Sequence, residues 1–359
     1  MIETIKSKKG EIMKKKFLST LLSLTLVGAC LTGCGSAAEP AADAPAKTES
    51  AEKEAGAEAA GQESAAAENT EGKKWKVGFA QCSMNAPHRI KMTEVNMAYA
   101  KENYPEFDVI LTDGEDTDSK QVSDVEDLIA NNIDILLISP NTSEALTDVC
   151  QKAMDAGIPV VTLDRNVNCD VTCWIGAENI PMGVQSADLL AEMIKGDGKI
   201  IEVQGTAGAS ATIDRHQGFE DELKKYPNLS VIDTQYCNYT RADAMSYMED
   251  MLQKFPNEGD ISAVYCHNDE MAAGVVEAIA AAGRSDEGIL VTGMDGNEEA
   301  FEYVDSGAMA FTVIYPTCAP EGMQAAYKIL NGESVDKHWI LDTTVVSKDN
   351  VKDFLGTGL

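Results

Sequence analysis

Six side chains able to grip a polar small molecule recur at one kind of place in this sequence: Arg89, Asp164, Arg165, Arg215, Asn268 and Asp295. All but Arg215 stand just past a short apolar run that reads as a strand, and Arg215 stands near the first turn of the helix that follows one. Carboxylates accept hydrogen bonds and guanidinium groups donate them through a rigid fork, so the set suits a molecule whose hydroxyls do both. Tyr239 and Tyr315 add flat faces for an apolar C–H surface, and His88 adds a further ring. Taken singly, each residue has a plainer reading. Arg215 reads equally as a surface arginine, and Asp164-Arg165 as a strand-end cap or ion pair. Asp295-Gly296 also reads as a turn dipeptide, Tyr239 as a core aromatic and His88 as a surface histidine.

The sequence offers little for catalysis. It has no Gly-x-Ser-x-Gly elbow, no His-Glu-x-x-His and no phosphate loop ending in Gly-Lys-Ser/Thr. Gly205-Thr-Ala-Gly208 only echoes a nucleotide loop, and the helix after it brings a cation. With four histidines in the chain, acid/base work would fall to Asp164 or Asp295, which read better as hydroxyl acceptors. No cofactor and no metal site is expected. Cys169 and Cys173 lie four apart without a second pair or nearby histidines, so zinc is not supported. A disulfide between them stays open, and the other cysteines of the folded part read as small buried hydrophobes.

The elements that must carry these residues alternate. Strands are expected at 75–80, 108–111, 133–138, 159–163, 171–175, 199–204, 229–234, 261–266, 289–294 and 309–314. Helices of about 10–16 residues lie between most of them, including 119–130, 143–156, 181–194, 240–255, 271–282 and 320–330. The strand at 199–204, the small-residue turn at 205–210 and the helix opening at 211–219 form one ligand edge, with Arg215 near the first turn. Residues 340–346 look extended. Such alternation means parallel sheets with helices on both faces, and ligands sit outside the carboxyl ends of the strands. The strand count exceeds what one sheet comfortably needs. Two doubly wound lobes, split near 175–180, would pool the polar strand tips in one cleft.

The bulk numbers bound the partners. A formal charge of −30, from 29 basic and 59 acidic residues, argues against nucleic acid and against an electrostatic hold on anionic lipid. At the front, Lys14 to Lys16 precede an apolar run at 17–31, a positive n-region and an h-region. Leu31-Thr32-Gly33-Cys34 resembles the lipobox of a bacterial lipoprotein signal peptide. That resemblance implies a signal peptide over 1–33, with Met13 as the true start, and membrane lipid on Cys34. Residues 35–72 are Ala, Glu, Gly and Ser with almost no large apolar side chains. They read as a disordered acidic linker, with a helical stalk as the rival.

Five stretches then converge: Val160-Val-Thr-Leu-Asp164-Arg165, Glu202-Val-Gln-Gly-Thr-Ala-Gly-Ala-Ser210, Asp214-Arg215-His-Gln-Gly-Phe219, His267-Asn268-Asp269-Glu270-Met271 and Gly293-Met-Asp295-Gly296. Through them residues 74–348 resemble the periplasmic sugar-binding proteins of the ribose/galactose type, the substrate-binding components of ABC sugar importers. Gly78-Phe-Ala-Gln81 and His88-Arg89 resemble most the branch that includes the galactofuranose-binding protein. The resemblance implies an α/β fold of two Rossmann-like, doubly wound lobes joined by a three-crossing hinge (type I periplasmic binding protein). Lobe one would hold 74–177 and 316–342, and lobe two 178–315 and 343–359. It implies a monosaccharide or related polyol held by Arg89, His88, Asp164, Arg165, Arg215, Tyr239, Asn268, Asp295 and Tyr315. The partners implied are ABC permease subunits, for a monomeric lipoprotein on the outer face of the cell membrane. A receptor feeding a sensor kinase or chemotaxis system is the alternative. Ribose and galactose binders stack an aromatic ring of the first helix on the sugar. Here His88 and Arg89 take that neighbourhood, which weighs against D-ribose.

Overall fold

In a computed structural model of the chain, the described residues are 72, 74–195 and 197–359. The signal peptide, Cys34 and nearly all of the linker lie outside them.

The chain first lays down β1 (Trp75–Gln81), α1 (Pro87–Asn103), β2 (Phe107–Asp113), α2 (Asp118–Ala130), β3 (Ile135–Ile138), α3 (Ser143–Asp155), β4 (Val160–Leu163) and β5 (Cys173–Gly176). It continues through α4 (Asn179–Ile194), β6 (Gly198–Gln204), α5 (Ser210–Leu223), β7 (Leu229–Tyr236), α6 (Arg241–Lys254), β8 (Ala263–Cys266) and α7 (Asp269–Ala281). Then come β9 (Leu290–Asp295), α8 (Glu298–Ser306), β10 (Phe311–Ile314), α9 (Glu321–Leu330), β11 (His338–Ile340) and β12 (Thr344–Ser347).

The strands form two six-stranded sheets, ordered β11-β5-β4-β3-β1-β2 and β12-β10-β9-β8-β6-β7. Every pairing is parallel except β10 with β12. The chain therefore passes between the sheets three times: after β5, after β10 and between β11 and β12. In each sheet the order reverses at its first-laid strand, β1 in one and β6 in the other. At such a switch point two loops leave in opposite directions and open a crevice at the strands' carboxyl ends.

The apolar runs explain why these segments are strands. Period-two alternation sends Val77, Phe79, Ile135 and Leu137 to one face of the first sheet, against α1 and α9. Ala80, Leu136 and Ile138 go to the other face, against Leu146 and Val149 of α3 and Val125 and Leu128 of α2. Strands covered on both faces need no polar side, so they read as continuous hydrophobic runs. The second sheet repeats the plan with two further cores.

One close approach matters for the site. A Cβ on Gly218 would lie 2.1 Å from the Ile180 carbonyl oxygen, and one on Gly183 would lie 2.4 Å from that of Arg215. Helices α4 and α5 touch backbone to backbone here because both residues lack a side chain. Phe219 stacks on Tyr265 of β8 at 3.9 Å between ring centroids. Arg215 thus rises from a helix pinned on two sides.

The structure adds detail to the sequence reading. The extended tail is two strands, one in each sheet, separated by the third crossing. Helix α4 starts at Asn179, with Pro181 inside its first turn, where a missing N–H costs nothing. Helix α8 was not read from the sequence: it has nine residues, and Gly307 ends it in a left-handed turn.

Candidate functional site

The carboxyl ends of the two sheets face each other across a cavity. All nine side chains singled out above line it: His88, Arg89, Asp164, Arg165, Arg215, Tyr239, Asn268, Asp295 and Tyr315. Ser83, Asn85, Asp116 and Asn238 also line it and were not foreseen. The lobes touch beside the cavity, where Ser143 N donates to Gly208 O at 3.0 Å and Asn166 N to Ser210 Oγ at 2.9 Å. The structure is therefore a closed form.

Arg89 sits in the first turn of α1, where Pro87 pre-sets the helix. Its guanidinium donates to Asp164 Oδ2 and, at 2.6 Å, to Ser139 Oγ. Asp164 leaves β4 in the left-handed region, with φ 61°. Such a conformation is unfavourable for a residue with a Cβ and tends to persist where function demands it. Burial pushes its carboxyl up, but the charge of Arg89, then that of its other cationic neighbours, holds it well below the usual carboxylate range. Arg165 donates to Asn141 O at 2.9 Å and crosses the gap to lie 5.0 Å from the Tyr239 ring centroid. Asp164 Oδ1 and Arg165 Nε are buried without a hydrogen-bond partner among the described residues. They are an acceptor and a donor on adjacent residues.

From the second lobe, Arg215 is held by Asn179 Oδ1 at 2.8 Å and by the His267 carbonyl, and its guanidinium lies 5.2 Å from the Tyr315 ring centroid. Tyr239, with φ 60°, bonds Thr212 Oγ1 through its hydroxyl at 2.8 Å. Its ring fills the space over Gly205, where a Cβ would come within 2.0 Å of it. Asn268 caps α7, its Oδ1 accepting from Met271 N at 3.0 Å. Its amide nitrogen donates to Tyr239 O at 3.5 Å, which leaves its second hydrogen for the cavity.

Asp295 ends β9 with φ 125° and is 9 % exposed. No guanidinium bonds it directly. Burial, and after that the carboxylates of Asp269 and Asp164, push its carboxyl up to about 8 against the pull of Arg215 and Arg89. Asp269 shapes this turn, accepting from Gly296 N and Asn297 N at 2.8 Å each and from Thr312 Oγ1 at 2.6 Å. Two carboxyls of one cavity thus differ in kind: arginine pairing holds that of Asp164 down, and burial without a direct cationic partner pushes that of Asp295 up.

His88 packs edge-on to Tyr315, and its Nε2 lies 3.2 Å from Pro316 O. Burial, then Arg89, lowers its pKa to about 4, so the ring is neutral. A neutral imidazole facing a carbonyl must place its hydrogen on that nitrogen, which leaves Nδ1 as an acceptor. The Tyr315 hydroxyl bonds Ala177 O and N at 3.3 and 3.2 Å, tying the second crossing to the first.

No group of three or more His, Cys, Asp or Glu among the described residues is placed to hold a metal. The seven described cysteines are free, Cys169 and Cys173 included.

Comparison with known proteins agrees with this geometry. The family profile described as "Periplasmic binding protein domain" matches residues 77–334. The ribose import binding protein RbsB of Bacillus subtilis is 34 % identical over 271 residues, 74 % of this chain and 85 % of that protein. The galactofuranose-binding protein YtfQ of Escherichia coli is 30 % identical over 287 residues, 78 % of this chain and 90 % of its own length. Among solved structures, the fructose binding periplasmic domain of a hybrid two component system superposes with a TM-score of 0.74 at 33 % identity, covering 78 % of this chain and 93 % of that one.

Proposed function

This chain belongs to the periplasmic binding protein family, and we propose that it captures one monosaccharide, or a polyol of that size, between its two lobes and delivers it to the permease of an ABC importer. It is an extracytoplasmic solute binder and not an enzyme. One observation carries the reading: nine polar or aromatic side chains from the tips of two separate sheets line a single closed cavity. In this reading Asp164 and Asp295 bind hydroxyls, and Arg89, Arg165 and Arg215 donate to hydroxyl and ring oxygens. His88 accepts through Nδ1, Asn268 donates through its amide, and Tyr239 and Tyr315 wall the sugar. Lobe one, 74–177 with 316–342, and lobe two, 178–315 with 343–359, close about the crossings as the sugar binds the closed state better than the open one. Lipid on Cys34 anchors the whole to the membrane.

For the ligand's ring form we favour a furanose of the kind taken by the galactofuranose-binding branch. The resemblance puts His88 and Arg89, the latter bonded to Asp164, in the neighbourhood where ribose and galactose binders stack an aromatic ring. D-Ribose is the rival, since the Bacillus subtilis relative is a ribose import protein. A thermal-shift and calorimetric screen against pentoses, hexoses, furanose forms and inositols decides, because a true ligand raises Tm by linkage. D-Ribose outranking every furanose overturns the ring assignment, and no shift with any polyol overturns the reading as a whole.

A second reading keeps the cavity and changes the recipient: a receptor presenting sugar to a sensor kinase. The fructose binding domain of a hybrid two component system favours it. Co-purification of the closed, loaded protein with a permease or with a kinase separates the two.

A further inference from the structure

We infer that Gln121, outside the cavity, is the positioning residue for both first-lobe arginines, an inference that rests on the sugar-binding reading only for its effect on affinity. Strand β3 ends at Ile138, and the chain leaves the sheet through Ser139, Pro140 and Asn141. Proline supplies no N–H at this exit. The Ser139 carbonyl and the Asn141 N–H on either side of it need partners elsewhere, because buried backbone groups are costly when unpaired.

Gln121, in the first turns of α2, supplies both. Its Oε1 accepts from Asn141 N at 2.8 Å, and its Nε2 donates to Ser139 O at 2.9 Å and to Ala80 O at 3.4 Å. The side chain is wholly buried, and the Gly114 backbone passes so close that a Cβ there would sit 3.0 Å from Gln121 Cβ. One amide therefore pairs both backbone groups that flank the proline, beside the bonds of Ser139 N to Ala80 O at 3.1 Å and of Asn141 Nδ2 to Asp118 Oδ1 at 2.8 Å.

Those residues hold the arginines. Ser139 Oγ accepts from Arg89 NH1 at 2.6 Å, and Asn141 O accepts from Arg165 NH1 at 2.9 Å. Arg89 and Arg165 approach from α1 and from the end of β4 and have no other common support among the described hydrogen bonds, apart from Asp164 between them in sequence and space. Arg215 has its own supports in the second lobe, Asn179 and His267, and is the internal control.

The test is Gln121→Met, which keeps the side-chain length and removes both hydrogen-bonding functions, with Gln121→Glu as a second variant that keeps the acceptor and loses the donor. Arginine Nε–H resonances of the free protein are read first. In both variants the Arg89 and Arg165 signals should shift and broaden while that of Arg215 stays as in the wild type. Sugar affinity, read with the ligand the screen identifies, should fall about tenfold, the scale of one lost net hydrogen bond. Unchanged Arg89 and Arg165 resonances overturn the inference whatever the ligand is. A lower Tm with unaltered Kd also overturns it, since that is all a merely structural glutamine would give. A wild-type protein that binds no sugar sinks the sugar reading instead, and the resonances still decide the role of Gln121.

Discussion

Replacing Asp295 by asparagine should stabilise the ligand-free protein, and increasingly so as pH rises. The carboxyl is pushed from an ordinary value of 3.8 to about 8, by burial first. A carboxyl whose folded pKa lies above its unfolded one binds more protons in the folded state between those values. Its contribution to stability is complete below about pH 4 and drains away as pH climbs through about 8. At roughly 1.36 kcal/mol per pH unit, the loss between pH 5 and pH 8 is on the order of 4 kcal/mol. Asparagine has nearly the same shape and no proton to lose, so Asp295→Asn escapes that loss. A chain of this size moves by roughly 2–4 °C in Tm per kcal/mol. The gap between variant and wild type in ligand-free calorimetry should therefore widen by ~10 °C from pH 5 to pH 8. Sugar binding should weaken in the same variant, because a protonated carboxyl can donate through its O–H and accept through its carbonyl oxygen at one place, whereas an amide presents an NH2 of different geometry where that hydroxyl stood. A gap of equal width at both pH values would refute the reasoning: it would mean that the carboxyl is hydrated in the free protein and carries no raised pKa.

Arg215→Ala should abolish the ligand-induced thermal shift while far-ultraviolet dichroism stays native, since charge-assisted bonds to ligand are worth about 1.5–3 kcal/mol each; undiminished affinity in isothermal titration would remove Arg215 from the site. Gly218→Ala should cost about 1–3 kcal/mol by overpacking, because its Cβ would meet the Ile180 carbonyl at 2.1 Å; denaturant melts of the two proteins with equal midpoints would show that α4 shifts away freely. Cys34→Ala should release the protein from the membrane into a soluble fraction, and a variant that still pellets with membranes would rule out lipid on that residue.

What could be read from the sequence, and what could not, divides by range. The strands were visible because each is buried on both faces, so its residues are apolar without interruption, as Ile135–Ile138 shows. Nine of the cavity residues could be singled out because a parallel sheet puts the polar residues that follow such runs on one edge, whereas Ser83, Asn85, Asp116 and Asn238 lie in loops that carry no such mark. Asn268 shows the limit of that logic: the strand-tip position was readable, but the commitment of its carbonyl to capping α7 was not. Gln121, Asn179 and Asp269 were beyond reach for a different reason. Each acts through hydrogen bonds to partners 18 to 43 positions away, and periodicity records which face a residue occupies but not what its side chain meets. Helix α8 escaped because its nine residues are too few to establish a period.

The same closed cavity explains why closing would report the ligand. In the closed form Asp164 Oδ1 and Arg165 Nε are buried without partners, at a cost of about 1–3 kcal/mol apiece, more where the group is charged. Opening would let water reach both atoms. A polyol gives the same relief without opening, because its hydroxyls fill the roles that water would. Two such atoms together amount to roughly 2–6 kcal/mol, and about 5.5 kcal/mol of differential affinity carries an equilibrium from 1:99 to 99:1. On the proposed function, then, the unsatisfied pair supplies a large part of the bias that favours closure with ligand over closure without it. An apolar ligand of equal volume would leave both atoms unpaired and so would not favour the closed form.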